Sequence, residues 1–233
     1  MDASTPKPMR IPKAILFDLD GTLVDSAPDI AAAVNELLAA SHLPPLSVER
    51  VTAMIGGGVR KLVERAFAAS GAPLLGAALD RAERDMAPIY LRHLTRLTRL
   101  LPGAREAIVH FHGEGVPMAV ATNKPQVAAR TILLHFGLFE RLGALVGGDA
   151  VAAKKPAPDA LLLALERLGV DPQDALMVGD SISDVRAARA AGMPVALIRG
   201  GYSPTPVEEL GADLVCDSLF ELPAALSRLP APA

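Results

Sequence analysis

A chain of 233 residues with 51% hydrophobic residues can bury a real core and is not a disordered polymer. Its net charge of −3, with no block of like charge, offers no footprint for nucleic acid or an anionic membrane, and no run approaches the roughly 18 apolar residues of a spanning helix. The single cysteine, Cys216, rules out an internal disulfide and reads as a buried thiol in a reducing, cytoplasmic setting, in one domain with an insertion or two small ones.

The first residues, MDASTPKPMRIPK, lack an apolar stretch and read as a short loose tail. Ala14 to Phe17 follows, four apolar residues in a row, the mark of a strand buried on both faces of a parallel sheet. Asp18 and Asp20 come directly after it, then Gly21-Thr22. Ligands of open α/β sheets collect at such strand ends, and two carboxylates there want water, a counter-ion or a metal. The alternative is a pair of turn acids, with Asp20-Gly21 as the turn dipeptide.

Residues 27 to 98 predict helices and no strand. Pro28 and Asp29 suit a first turn, and Ile30, Val34, Leu37 and Leu38 keep helical spacing. After a break at Pro44-Pro45, Ser47 can cap a second helix carrying Val48, Val51 and Ile55. Gly56-Gly57-Gly58 interrupts, and Val59, Leu62, Val63, Ala66 and Phe67 line one face of a third helix. A fourth is expected from about Leu75 to Leu97, disturbed at Pro88.

Beyond Leu101-Pro102-Gly103 the pattern alternates. Helices at about 104–114, 125–136, 158–168 and 183–191 each precede a strand, at 118–121, 144–146, 176–178 and 195–198; a last strand, 214–216, leads to a helix with a Ser218…Glu221 capping box and then a frayed Pro/Ala tail at 230–233. This alternation means a parallel sheet covered on both faces. Because the first strand precedes the helical block, that block is an insertion: residues 1–26 and 99–233 form one α/β unit and residues 27–98 the other.

Three further strand ends carry polar groups. Thr122-Asn123-Lys124 offers a hydroxyl, an amide and backbone N–H groups to a phosphoryl oxygen, or else simply caps the next helix. Lys154-Lys155-Pro156 is a solvated pair or a fixed cation in extended backbone. Gly179-Asp180-Ser181-Ile182-Ser183-Asp184 repeats the pattern of acids after an apolar strand, with Gly179 allowing close backbone approach to a ligand and Asp184 open to a plainer role as a first-turn acid. In a parallel sheet all these ends share one edge, so the groups converge on one crevice.

In order and spacing, FDLDGTLVDS, the Thr-Asn pair, Lys-Pro and Gly-Asp-x-x-x-Asp resemble the four signatures of the haloacid dehalogenase-like hydrolases, over nearly the whole chain. The resemblance implies a Rossmann-like α/β core with an inserted helical cap domain. It also implies Asp18 as a nucleophile that forms a phospho-aspartate and Asp20 as general acid and base. Mg²⁺ would be held by Asp18, the Asp20 carbonyl and Asp180. Thr122 would hold the phosphoryl oxygen with help from Asn123, Lys155 rather than Lys154 would be the fixed cation, and Asp184 would orient Lys155 or a metal-bound water. The second acid, Asp20, favours phosphate transfer over dehalogenation, whose leaving halide needs no proton.

Within that superfamily the chain is similar to the phosphoglycolate phosphatases, through LFDLDGTLVDSAPDI, IGGGVRKLVERAF, ATNKP, KKPAPDALL, VGDSISDVRAARAAGMPV and RGGYS. Ser183 stands where Asn is more usual. The resemblance implies a small phosphorylated metabolite, 2-phosphoglycolate first, with the cap loop at Gly57 closing over it and Arg60 or Lys61 meeting its carboxylate; the alternative for both cations is a solvated helix face. Phosphatases of N-acetylmuramic acid 6-phosphate, pyrophosphate or sugar phosphates look very similar, β-phosphoglucomutases share the cap type, and a catalytically silent binding protein is the reading from another class. A monomer and a homodimer are equally compatible with the sequence.

Overall fold

A computed structural model describes residues 11–228. The first ten residues of the expected loose tail and the Pro/Ala tail at 230–233 lie outside the described residues. Strand β1 (Ala14–Phe17) is followed by the short β2 (Val24–Asp25), then by helices α1 (Ala27–Ala40), α2 (Val48–Thr52), α3 (Val59–Ala69) and α4 (Gly76–His93), and by β3 (Arg99–Leu100). From there the chain alternates through α5 (Ala104–Gly113), β4 (Met118–Ala121), α6 (Gln126–His135), β5 (Ala144–Val146), α7 (Asp159–Leu168), β6 (Ala175–Gly179), α8 (Ile182–Ala191), β7 (Val195–Ile198), β8 (Leu214–Cys216) and α9 (Leu222–Leu226).

Six strands form one parallel sheet in the order β5-β4-β1-β6-β7-β8. Every residue of β1, β4, β5, β6 and β7 is buried, which is why their sequences run apolar instead of alternating. Ile15, Phe17, Val120 and Val178 face the layer of α5, α6 and α9, while Leu16, Ala119, Met177 and Leu197 face α7 and α8. The first of these clusters continues into the helical segment through Val34, Leu38, Phe67 and Met86.

The chain leaves β1 toward β4 and β5, then crosses back to β6 on the other side of β1. This reversal opens a crevice at the carboxyl ends of β1, β4 and β6. Phe17 is in register with both Val120 and Val178, so Asp18, the Thr122 segment and Asp180 leave the sheet side by side.

Several local expectations differ from what forms. β2 and β3 pair antiparallel, Val24 with Leu100 and Asp25 with Arg99, where the chain enters and leaves the helical segment. Two-residue strands have no period to detect. Buried Asp29 of α1 ties the same junction, accepting from the backbone N–H groups of Leu97 and Thr98 and from the Thr98 hydroxyl. Helix α4 runs through Pro88 and stops at His93, short of Leu97. Helix α2 ends at Thr52, and Ile55 lies in the turn beyond it. At the C-terminal end the Ser218…Glu221 box does not form: Glu221 accepts from the Asp217 N–H, and α9 starts only at Leu222, with proline in its first turn.

Candidate active site

Lys155 reaches from the loop before α7 to the end of β1. Its Nζ lies 3.0 Å from Asp18 Oδ1 and 2.6 Å from Asp184 Oδ1, with its side chain 1% exposed. Lys154 instead extends toward the loop at Gly58. Burial favours the neutral amine of Lys155, but the carboxylates of Asp18 and Asp184 outweigh it and push the pKa up. Asp18 has the opposite balance. Burial lifts its carboxyl to about 6, with Asp184 and Asp20 adding to the rise and Lys155 opposing it. Burial likewise raises Asp180 well above the usual carboxylate range, reinforced by Asp184 and Asp18.

Asp184 is a first-turn acid of α8 that also touches Lys155. Its Oδ2 accepts from the Ser181 N–H and hydroxyl in a capping box that starts α8, while its Oδ1 accepts from Lys155. Gly179 makes room for it, because a Cβ there would lie 2.4 Å from Asp184 Cγ. The glycine therefore makes room for the carboxylate. Gly21, at φ +82°, does the same for Asp180, whose Oδ2 would be 2.5 Å from an added Cβ. Asp180 also accepts from the Thr22 hydroxyl and the Tyr202 N–H.

Asp20 is held by residues that sequence reasoning passed over. Lys124 Nζ donates to its Oδ1 at 2.7 Å and the Ser26 hydroxyl donates to the same oxygen at 2.5 Å. The ammonium also lies 5.0 Å from the ring centroid of Tyr90 on α4. Burial lowers the pKa of Lys124, yet the Asp20 carboxylate outweighs that and raises it. Burial also pushes the Tyr90 phenol up to about 12. Tyr202 was visible only as part of RGGYS. Its hydroxyl accepts from the Ser26 and Ala27 N–H groups and donates to Asp25, which fixes the start of α1 beside Asp20.

Thr122 and Asn123 do not cap α6. The N-cap position is Pro125, and the Gln126 N–H goes to Asp149. Thr122 is buried in the lining of the crevice, its oxygen accepting from the Lys124 N–H. The Asn123 side chain departs from expectation. Both its amide hydrogens are used, one on Gly56 O and one on Lys155 O, and its oxygen accepts from the Lys155 N–H. No side-chain donor is left for a phosphoryl oxygen, because a buried amide is satisfied first by fixed backbone partners.

The crevice opens into a cavity of about 420 Å³ between the sheet edge and the helical segment. Gly57 lines it, as do Leu62, Met86 and Tyr90. Arg60 and Lys61 are not in its lining. Arg60 is paired with Asp80 and Glu83 on α4, and Lys61 with Glu64 one turn on, all at the surface. Helical geometry explains this: Leu62 and Val63 take the buried face of α3, so their neighbours Arg60 and Lys61 turn outward. Arg65 is the cation from α3 that does line the cavity, donating to Met54 O.

The residues present fit a hard divalent cation. Asp18, Asp180 and Asp184 each place an oxygen so that the three lie within 4.8 Å of one another. Apart from its ion pair with Lys155, Asp18 Oδ1 is buried without a partner, and the Asp20 carbonyl accepts no hydrogen bond among the described residues. An all-oxygen anionic set with unused lone pairs is the donor chemistry of such ions. Cys216 lies elsewhere, buried in β8, its thiol pushed up to about 11 mainly by burial.

The haloacid dehalogenase-like hydrolase family matches residues 12–192. The chain is 39% identical over 222 residues to a phosphoglycolate phosphatase of Caulobacter vibrioides, covering 94% of each chain. In three dimensions it is similar to the crystal structure of a predicted phosphoglycolate phosphatase from Haemophilus somnus 129PT, with TM-score 0.87, 31% identity and 93% and 99% of the two chains covered. It is also similar to CbbY from Rhodobacter sphaeroides in complex with phosphate, with TM-score 0.80, 29% identity and coverage of 93% and 99%. With the acids, the buried lysine and the threonine on one sheet edge and these likenesses spanning nearly its full length, the chain belongs to the haloacid dehalogenase-like hydrolases and, among them, to the phosphoglycolate phosphatase family.

Proposed function

We propose that this protein hydrolyses a small phosphomonoester, 2-phosphoglycolate first, to the alcohol and inorganic phosphate. The observation that carries the reading is the Asp18 carboxylate at the end of β1, in the lining of the crevice with Thr122 and paired with the Lys155 ammonium at 3.0 Å. A carboxylate so placed is a poised nucleophile. In this reading an Asp18 oxygen attacks phosphorus and the bond to the leaving oxygen breaks. Asp20 gives that oxygen its proton. Asp20 then takes a proton from water, whose oxygen attacks the acyl phosphate, releasing phosphate and restoring both carboxyl groups. Lys155 and the Thr122 hydroxyl hold the phosphoryl oxygens and offset their charge. Mg²⁺, held by Asp18, Asp180 and the Asp20 carbonyl, supplies further neutralisation of charge on the phosphoryl group.

Residues 27–98 act in this reading as a cap over residues 1–26 and 99–233, with Gly57 at the substrate. Among the described residues no helix is long and apolar enough to cross a membrane, and the charge balance favours neither nucleic acid nor lipid. In this reading the protein works on a small metabolite in the cytoplasm, as a monomer or homodimer. The name of the Caulobacter relative supports phosphoglycolate. The cavity of about 420 Å³ supports a second reading, in which the substrate is a larger ester such as a sugar phosphate or N-acetylmuramic acid 6-phosphate. Phosphate release with Mg²⁺, ranked as kcat/KM over these compounds and pyrophosphate, decides between them. A lead of about a hundredfold for phosphoglycolate, roughly 2.7 kcal/mol of discrimination, supports the first reading, and a sugar phosphate in front supports the second.

A further inference from the structure

We infer that Asn123 is a positioning residue that couples seating of the Gly56–Gly58 loop to the placement of the Lys155 ammonium. The inference rests on the reading of Lys155 as the cation that meets the phosphoryl group. Three observations carry it. Asn123 is 6% exposed, and its side chain holds Lys155 by its backbone on both sides, accepting from its N–H at 2.9 Å and donating to its carbonyl at 2.9 Å. The remaining amide hydrogen crosses to the helical segment and meets Gly56 O at 2.7 Å. The loop also lies close to the segments that carry these residues, since a Cβ on Gly58 would lie 2.7 Å from Lys154 Nζ and 3.4 Å from Asn123 O.

One planar amide thus serves two partners that belong to different parts of the fold. Two bonds to the Lys155 backbone set its plane, and the third ties that arrangement to Gly56. Withdrawing Gly56 removes one of the three bonds that hold the amide still. A looser amide would loosen the Lys155 backbone, and with it the Nζ that bridges Asp18 and Asp184. The catalytic cation is therefore at its post when the loop is closed over the crevice. Asn123 touches no reacting atom in this scheme.

The test uses the full chain with Mg²⁺ and p-nitrophenyl phosphate, together with amide hydrogen exchange. Asn123→Asp keeps the size and the acceptor for the Lys155 N–H but loses both donors, and Asn123→Ala loses all three bonds. Both variants should lower kcat by about tenfold or more, the scale of a misplaced catalytic group, while KM stays within about threefold. Both should also speed exchange by about tenfold at Met54 and Ile55, whose N–H groups are bonded in the turn that enters the Gly56–Gly58 loop, with α1 and α4 unchanged. If Asn123→Ala does not fold, the isosteric Asn123→Asp decides. A raised KM with kcat intact would make Asn123 a substrate ligand and overturn the inference, as would unchanged exchange at Met54 and Ile55. Lys155→Met separates the two readings. Full activity in that variant removes the assumed role of Lys155 and the coupling with it, whereas an inactive Lys155→Met beside fully active Asn123 variants removes the coupling alone.

Discussion

Lys124 and Asp20 form an ion pair 2.7 Å long, with side chains 2% and 13% exposed, across 104 positions of sequence. The pair joins the acid after β1 to the residue that follows Asn123, and Tyr90 from α4 lies over the same ammonium. Asp20 is thus held from the sheet edge and from the helical segment together.

Lys124→Met keeps the stem and removes the charge. Leaving a largely buried carboxylate without its partner is expected to cost about 3 kcal/mol of stability, the low end for breaking a buried pair. Loss of a fixed orientation at Asp20 should lower kcat by about tenfold to a hundredfold. Urea unfolding and steady-state kinetics check both. An unfolding free energy within about 0.5 kcal/mol of the parent would mean that the pair contributes nothing.

Asp18 links activity to a pH-dependent stability. Its carboxyl rises from 3.8 to about 6 in the metal-free fold, so the folded state binds this proton more tightly than the unfolded chain. The resulting stabilisation is fully present below 3.8 and is lost as pH rises through about 6. Metal-free parent protein should therefore lose melting temperature across that window relative to Asp18→Asn, which cannot titrate. Mg²⁺ above the window should raise the parent and not the variant. Parallel melting curves would contradict the assignment. The same variant should release no phosphate above background.

Gly179→Ala tests the packing that seats Asp184. The new Cβ would fall 2.4 Å from Asp184 Cγ and 2.5 Å from its Oδ2, so the carboxylate must shift. We expect a loss of about 1–3 kcal/mol, as for an overpacked core, and a fall in kcat because Lys155 loses its 2.6 Å partner. Unchanged activity would show that Lys155 is held by Asp18 alone.

Arg60→Ala and Lys61→Ala are expected to leave kcat/KM for 2-phosphoglycolate within about twofold, since exposed ion pairs contribute little and neither side chain lines the crevice. Arg65→Ala is the sensitive substitution, expected to raise KM by about fivefold or more if the cavity cation meets a carboxylate. The reverse ranking, measured by phosphate release, would return Arg60 or Lys61 to the substrate.

Apolar runs and their breakers made the α/β core legible residue by residue. Ala14–Phe17, Met118–Ala121 and Val195–Ile198 form with the bounds their sequences predict, because a strand buried on both faces must be continuously apolar. Acids at strand ends were legible for the same reason, as charges that no packed strand would keep, whereas Lys155 was singled out from Lys154 only by the family resemblance. The sequence alone could not decide which polar neighbours serve those charges. Lys124 beside Thr122, Tyr202 in a loop and the amide of Asn123 look like surface or capping residues until the sheet order brings β4, β1 and β6 together. The outward direction of Arg60 and Lys61 was implicit in the apolar face of α3, but the pairing of Arg60 with Asp80 and Glu83 depended on how α3 packs on α4. Such choices are set by contacts between residues far apart in the chain, and a local pattern carries no record of them; only the tertiary structure decides them.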